Sequence, residues 1–213
     1  MSGVATDVQR IPWVPGTDLS AVAREIRHGG LVVFPTETVF GLAGLYGDER
    51  VRERIFRAKG RPEAAPLPVQ VADVDALRRW WPALPDAISQ MAARFWPGPL
   101  TMVLPAGADS IGVRIPKHPL ALALLAAVGE PMWVTSANRS GEPPLMEANA
   151  IAEAFAGEVA FLIEGGPEGG GAASSVVDLT NWPLRWRMLR KGPISDAQIE
   201  DVLGTPEGRE AQG

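Results

Sequence analysis

Apolar positions along the chain fall into two rhythms. Leu19, Val22, Ala23 and Ile26 recur at helical spacing behind Asp18, a fair N-cap, and Gly29-Gly30 stops them. Leu31-Val32-Val33-Phe34 is an unbroken apolar run closed by Pro35, which predicts a buried strand. Thr36-Glu37-Thr38 is a polar loop at its C-terminal end, and a short apolar segment, Leu42 to Tyr46, leads to an Arg-rich helix over Asp48 to Ala58. Gly60 is where that helix would end in a left-handed turn, and Pro62 forbids its resumption.

The alternation continues with a strand-like run, Pro66 to Val71, and helices over Asp73 to Trp81 and Asp86 to Trp96, broken hard by Trp96-Pro97-Gly98-Pro99. Strands are expected at Leu100 to Leu104 and Ile111 to Ile115, a buried helix at Leu120 to Val128, and a short strand at Met132 to Thr135. A helix over Glu147 to Ala156 precedes a strand over Val159 to Ile163 and a glycine-rich loop, Gly165 to Gly171. Strands over Ser174 to Leu179 and Leu184 to Leu189 and a helix over Ser195 to Leu203 complete the pattern. The order mixes βα alternation with adjacent strands, so the expected fold is α/β, a twisted mixed sheet flanked by helices. Residues 1–17 read as an N-terminal extension, 18–204 as one domain and 205–213 as a frayed tail.

Composition narrows the chemistry. With 213 residues, 46% hydrophobic and 21% charged, the chain is ordinary for one globular domain. The absence of cysteine removes disulfides and zinc-thiolate sites, and two histidines, His28 and His118, make a histidine metal centre improbable. No apolar run reaches membrane-span length and no signal-peptide layout opens the chain, so the expected location is cytoplasmic, without membrane contact. A net charge of −5 argues against a generic nucleic-acid binder, yet Arg52, Arg54, Arg57, Lys59 and Arg61 crowd one stretch and Arg185, Arg187, Arg190 and Lys191 another. These clusters are either solvated faces or two sides of one anion pocket. Lys59-Gly60-Arg61-Pro62 places two cations at a rigid turn, where helix-dipole complementation competes with anion binding as the explanation.

Three polar loops follow three apolar strand-like runs: Thr36-Glu37-Thr38, Ser136-Ala137-Asn138, and Gly165 to Ala173 leading into Ser174-Ser175. Their hydroxyls, amide and backbone N–H groups suit a small phosphate-bearing ligand. There is no nucleophile elbow and no Walker A ending. Arg114, inside an apolar run, requires an anionic partner, either an internal carboxylate or a ligand. The seven tryptophans read chiefly as core, with Trp182 or Trp186 the candidates for stacking on a base.

Seven motifs in order resemble the YrdC family of L-threonylcarbamoyladenylate synthases. They are Pro35-Thr36-Glu37-Thr38-Val39-Phe40-Gly41-Leu42, Lys59-Gly60-Arg61-Pro62 with Pro66-Leu67, Trp96-Pro97-Gly98-Pro99-Leu100-Thr101, and Val113-Arg114-Ile115-Pro116-Lys117-His118-Pro119. Ser136-Ala137-Asn138-Arg139-Ser140-Gly141, Ser174-Ser175-Val176-Val177-Asp178 and Leu189-Arg190-Lys191-Gly192 complete the series. The resemblance runs from about Leu19 to about Leu203, and it implies a short form with a single catalytic domain and a sheet around a large basic cavity.

It also implies an activity: L-threonine, bicarbonate and ATP are joined to give L-threonylcarbamoyl-AMP and pyrophosphate, the first step of tRNA t6A37 modification. Carried over onto this sequence, Lys59, Arg61, Ser136 and Asn138 form the catalytic tetrad; Thr36, Arg114 and Ser174 receive L-threonine; Arg61, Asn138 and Arg190 bind ATP. ATP is then a substrate, with Mg²⁺ bound through the nucleotide and no protein metal ligand. The implied partners include a tRNA threonylcarbamoyl-transferase complex that takes the product, with direct tRNA contact left open. Phe40, Ala65, Gln70 and Ala173 depart from the family's usual Tyr, Asn, His and Glu or Pro, which bears on affinity and amino-acid selectivity. A non-catalytic tRNA-binding or RNA-binding module using the same cavity, and a carbamoyl-transfer domain acting on carbamoyl phosphate, are the alternative readings.

Overall fold

Strand side chains point alternately to opposite faces, so one strand can feed a dry core on one side and a wet site on the other. This chain uses that property throughout. The structure, a computed structural model, describes residues 8–60, 66–82, 84, 86–165, 170 and 172–204. Arg61, Ala65, most of the glycine-rich loop and 205–213 lie outside the described residues.

The chain opens with β1 (Gln9–Pro12), α1 (Ser20–Arg27), β2 (Val32–Pro35) and β3 (Phe40–Leu45). Next come α2 (Glu49–Lys59), β4 (Val69–Gln70), α3 (Val74–Trp80) and α4 (Asp86–Phe95). The middle holds β5 (Leu100–Ala106), β6 (Asp109–Arg114), α5 (Pro119–Val128) and β7 (Met132–Ser136). The remainder is α6 (Ala148–Ala154), β8 (Phe161–Glu164), β9 (Ser175–Asp178), β10 (Arg187–Arg190) and α7 (Asp196–Leu203). The described strands form one mixed sheet in the order β1-β8-β2-β3-β7-β4-β6-β5-β9-β10. The expected fold class is therefore observed.

Helix ends follow from local chemistry. The Asp48 side chain, on extended backbone, accepts from Arg50 N at 3.0 Å and starts α2; Gly60 ends it at φ 59° and ψ 37°, in the left-handed region. Pro119 opens α5 without wasting a donor, and Ser195 with Gln198 builds a capping box on α7.

One face of the sheet is covered along its length. Val69, Met102, Val113 and Val177 point there, into a core shared with Ile55 of α2, Leu77 of α3, Met91 of α4, Phe155 after α6 and Ile199 of α7. On the other face, α1 and α5 pack Ile26 and Leu124 against Val32, Phe34, Ala43 and Met132. Those two helices cover only the half built from β8, β2, β3 and β7, leaving the half from β4 to β10 without a helical layer among the described residues.

Three expectations shift. No strand is expected before Asp18, yet β1 pairs in parallel with β8 from Gln9↔Phe161 to Pro12↔Glu164. Only Val69 and Gln70 of the Pro66 to Val71 run form a strand, because Pro66 and Pro68 have no N–H to give a ladder. The last strand starts at Arg187 rather than Leu184: Arg185 N is bonded to Asn181 O at 3.2 Å, and a residue held in that turn cannot join the sheet.

Candidate active site

The uncovered half of the sheet carries a cavity of about 470 Å³. Its wall is the other phase of the alternation that builds the core. Pro68 and Gln70 of the β4 segment, Gly112 and Arg114 of β6, Thr101 and Val103 of β5, and Ser174 and Val176 at β9 all face it. Gln70 is in register with Arg114, and Val176 with both Thr101 and Arg190, so these strands bring their polar residues to one level.

Lys59, Ser136 and Asn138 come together at the edge of this cavity. Of the two readings left open for Lys59, a solvated face is not what is observed: the side chain points inward and is 3% exposed. Its Nζ donates to Ser136 O at 2.5 Å, Asn138 O at 2.9 Å and Asn138 Oδ1 at 3.3 Å. The reason lies in the end of α2, whose last carbonyls have no helical partner. Ser140 N donates to Lys59 O at 2.8 Å, and the Arg139 guanidinium donates to Ala58 O. The loop after β7 thus caps α2, and it draws Lys59 against its own carbonyls. The Asn138 amide closes that loop by donating to Arg139 O and Glu142 O, both at 2.7 Å. Ser136 and Asn138 line the cavity; Arg61, the fourth member of the expected tetrad, lies outside the described residues.

Arg114 has found an internal carboxylate. Its Nη2 is 2.7 Å from Glu37 Oε1, its Nε donates to Gly98 O at 3.1 Å, and Nη1 and Nη2 donate to Thr38 Oγ1 at 3.1 and 3.2 Å. An arginine can only donate, so Thr38 Oγ1 accepts and turns its own hydrogen to Thr36 Oγ1, 2.9 Å away. Thr36 Oγ1 in turn donates to Val39 O at 2.7 Å. The hydroxyl of Thr36, a residue singled out as a threonine contact, is thereby committed to its own loop, although Thr36 still lines the cavity.

Arg190 is held differently. Its Nε donates to Ser174 O at 2.9 Å and its Nη2 to Ser174 Oγ at 3.0 Å. Ser174 Oγ therefore accepts and donates its hydrogen to Thr101 Oγ1 at 2.9 Å. No carboxylate lies within ion-pair distance of Arg190 among the described residues. Burial first, and the neighbouring charge of Arg114 second, push its guanidinium below the usual range. A bound anion would relieve both strains. Gly192 holds this corner together, because a Cβ there would stand 2.5 Å from Ser175 N and 2.6 Å from Ala173 O.

Glu37, Thr38 and Thr101 are the site residues that spacing alone did not single out. Glu37 and Thr38 sat inside a recognised polar loop, but nothing in a linear pattern ties that loop to Arg114, 76 positions from Thr38. The buried Gln70 Oε1, on the cavity wall, has no hydrogen-bond partner among the described residues, a vacancy suited to a ligand N–H or O–H. Trp186, a stacking candidate, is instead core, with its Nε1 donating to Gly204 O at 3.1 Å. No group of three or more His, Cys, Asp or Glu is gathered among the described residues.

This fold and wall define an α/β protein with a cationic, hydroxyl-lined recess on the uncovered half of a mixed sheet. The chain belongs to the Sua5/YciO/YrdC family, described as Telomere recombination, which residues 24–192 match. It is 42% identical over 189 residues to a threonylcarbamoyl-AMP synthase of Pyrococcus abyssi (strain GE5 / Orsay), covering 84% of this chain and 55% of that protein. It is 37% identical over 198 residues to the Bacillus subtilis (strain 168) threonylcarbamoyl-AMP synthase, covering 87% and 56%. The crystal structure of P. abyssi Sua5 complexed with L-threonine superposes with a TM-score of 0.84 at 38% identity, over 93% of this chain and 61% of that one. The chain thus spans little more than half the length of these two curated relatives.

Proposed function

We propose that this chain joins L-threonine, bicarbonate and ATP into L-threonylcarbamoyl-AMP with release of pyrophosphate, the first step of tRNA t6A modification. The observation that carries the reading is the pair of arginines, Arg114 and Arg190, on one cavity wall beside the knot of Lys59, Ser136 and Asn138. It is supported by the name that the relatives carry and by the L-threonine complex of the P. abyssi protein.

The chemistry explains why such a wall is needed. The L-threonine amine adds to the carbon of bicarbonate, water leaves, and a carbamate remains. A carbamate oxygen then attacks the α-phosphorus, and the bond to the β-phosphate breaks as pyrophosphate departs. Every partner of the second step is anionic, so fixed cations and N–H donors are required to bring them together and to offset the growing charge. In this reading Arg114 receives the amino-acid carboxylate, Ser174, held by Arg190 and Thr101, is a further L-threonine contact, and Thr36 shapes the loop. Arg190, Arg61 and Asn138 meet the nucleotide, and Lys59 and Ser136 complete the catalytic edge. Mg²⁺ supplies phosphate charge neutralisation when bound and would ride on the nucleotide; Glu142 is the carboxylate that the described cavity wall offers it, too few for a protein cage. The product is a reactive mixed anhydride, which a tRNA acyl-transfer reaction must consume.

The test is pyrophosphate release measured with each reactant omitted in turn. Release must require both L-threonine and bicarbonate; release that continues without L-threonine overturns the reading.

A further inference from the structure

Arg114 and Arg190 share one wall but not one electrostatic state. Arg114 carries a counter-charge, since the Glu37 carboxylate is 2.7 Å away and both side chains are largely buried, 7% exposed for Arg114 and 19% for Glu37. Arg190 has no such partner among the described residues, as noted above. Glu37 is not part of the cavity wall, whereas its neighbours Thr36 and Thr38 and its partner Arg114 are. Both of its carboxylate oxygens are buried, so it is the guanidinium, not the carboxylate, that meets the cavity. Neither Glu37 oxygen accepts a well-aligned hydrogen bond among the described residues, so its buried charge is balanced by proximity to Arg114. The loop that carries it is pinned independently by Thr36 N to Val39 O at 3.2 Å and Gly170 N to Glu37 O at 2.9 Å.

A buried carboxylate with a single cationic neighbour stabilises one placement of that cation and penalises all others. We infer that Glu37 is a positioning residue for the amino-acid half of the site. Together with Thr38 Oγ1 and Gly98 O it fixes the guanidinium of Arg114 in one placement at the cavity wall, so that the side chain is already positioned when a carboxylate arrives. These contacts leave an Nη1 N–H of Arg114 for a ligand, while Arg190, with no carboxylate at ion-pair distance among the described residues, attracts phosphate charge. The inference rests on the proposed function, and it assigns Glu37 no contact with substrate.

The experiment compares wild type, Glu37→Gln, Arg114→Lys and the double variant in the full chain, with L-threonine and ATP affinities measured separately by calorimetry. Glu37→Gln should weaken L-threonine binding at least about tenfold while ATP binding changes less than about twofold. In the Arg114→Lys background the same substitution should add little, because the group it positions is gone. A purely structural role for Glu37 would lower Tm and leave the two affinities unchanged or move them together. Should Glu37→Gln not fold, Glu37→Asp is read instead: a carboxylate drawn back by one methylene must weaken L-threonine selectively. A folded variant of either kind with wild-type L-threonine affinity overturns the inference, as does an equal loss in both Arg114 backgrounds. A wild-type chain that binds no L-threonine overturns the proposed function and this inference with it.

Discussion

The two halves of one sheet face are built by the same rule and put to opposite uses. Under α1 and α5, the inward phase of β2, β3 and β7 is Val32, Phe34, Ala43 and Met132, and the space above is filled by Val22, Ile26, Leu120 and Leu124. Across β4, β6, β5 and β9, the same phase is Gln70, Arg114, Thr101 and Ser174, and the space above is a cavity. Backbone pairing is continuous across the boundary, so the difference lies in side chains and in where two helices stop. Core packing and the proposed chemistry are thus assigned to two halves of one sheet face. Val134, which packs in the covered half and also lines the cavity, marks the seam.

Substitutions on either side of that seam should separate. Phe34→Ala, in the covered half, removes a fully buried ring and should cost about 3–5 kcal/mol of unfolding free energy in denaturant titration. Under the proposed function, Arg190→Ala, in the open half, should lower pyrophosphate release about a hundredfold or more, through lost donors to charged reactants. Its stability should barely move, because burying that cation beside Arg114 is itself unfavourable. A large loss of stability in Arg190→Ala would erase the proposed division.

Lys59 should violate the division, since it is buried against the loop after β7 and is also a proposed catalytic residue. Lys59→Met leaves the carbonyls of Ser136 and Asn138 without their ammonium donor, so about 1–3 kcal/mol of stability should be lost together with activity. The smallest effect is expected far from the seam, at the sheet edge. There Arg10, through its side-chain hydrogen bond and its charge, holds the Glu164 carboxyl below the usual glutamate range. A depressed carboxylate stabilises the fold above its unfolded pKa of about 4.3, and that gain is lost as pH falls through the folded value. The advantage of wild type over Arg10→Ala should therefore be flat near neutrality and vanish in acid, as measured by thermal melts across pH.

Much of this architecture is legible in the sequence. The helix from Asp48 to the left-handed Gly60 was readable because its cap, its stop and its periodicity are all local. The strand at Leu100 and the buried helix at Leu120 were readable for the same reason. β1 was not, because Gln9-Arg10-Ile11-Pro12 has no alternation of its own and becomes a strand only by pairing with β8. Site residue types were readable too: a lone arginine in an apolar strand demanded an anion, and three hydroxyl-bearing loops suggested a phosphate ligand. Which anion and which loop were not readable, since Arg114 and Glu37 meet only after the sheet has brought β6 beside the β2–β3 turn.

Periodicity, caps and turn residues are short-range properties, written in neighbouring positions, so the linear chain dictates which segments are helix or strand and which residues carry charge. Partnership is long-range. That Lys59 turns inward to the loop after β7, that Arg114 but not Arg190 has a carboxylate partner among the described residues, and that a cavity stands over one half of a sheet face depend on contacts between residues dozens of positions apart. Those contacts form only when burial of the shared core makes the associated loss of chain entropy favourable, and only the folded molecule records them.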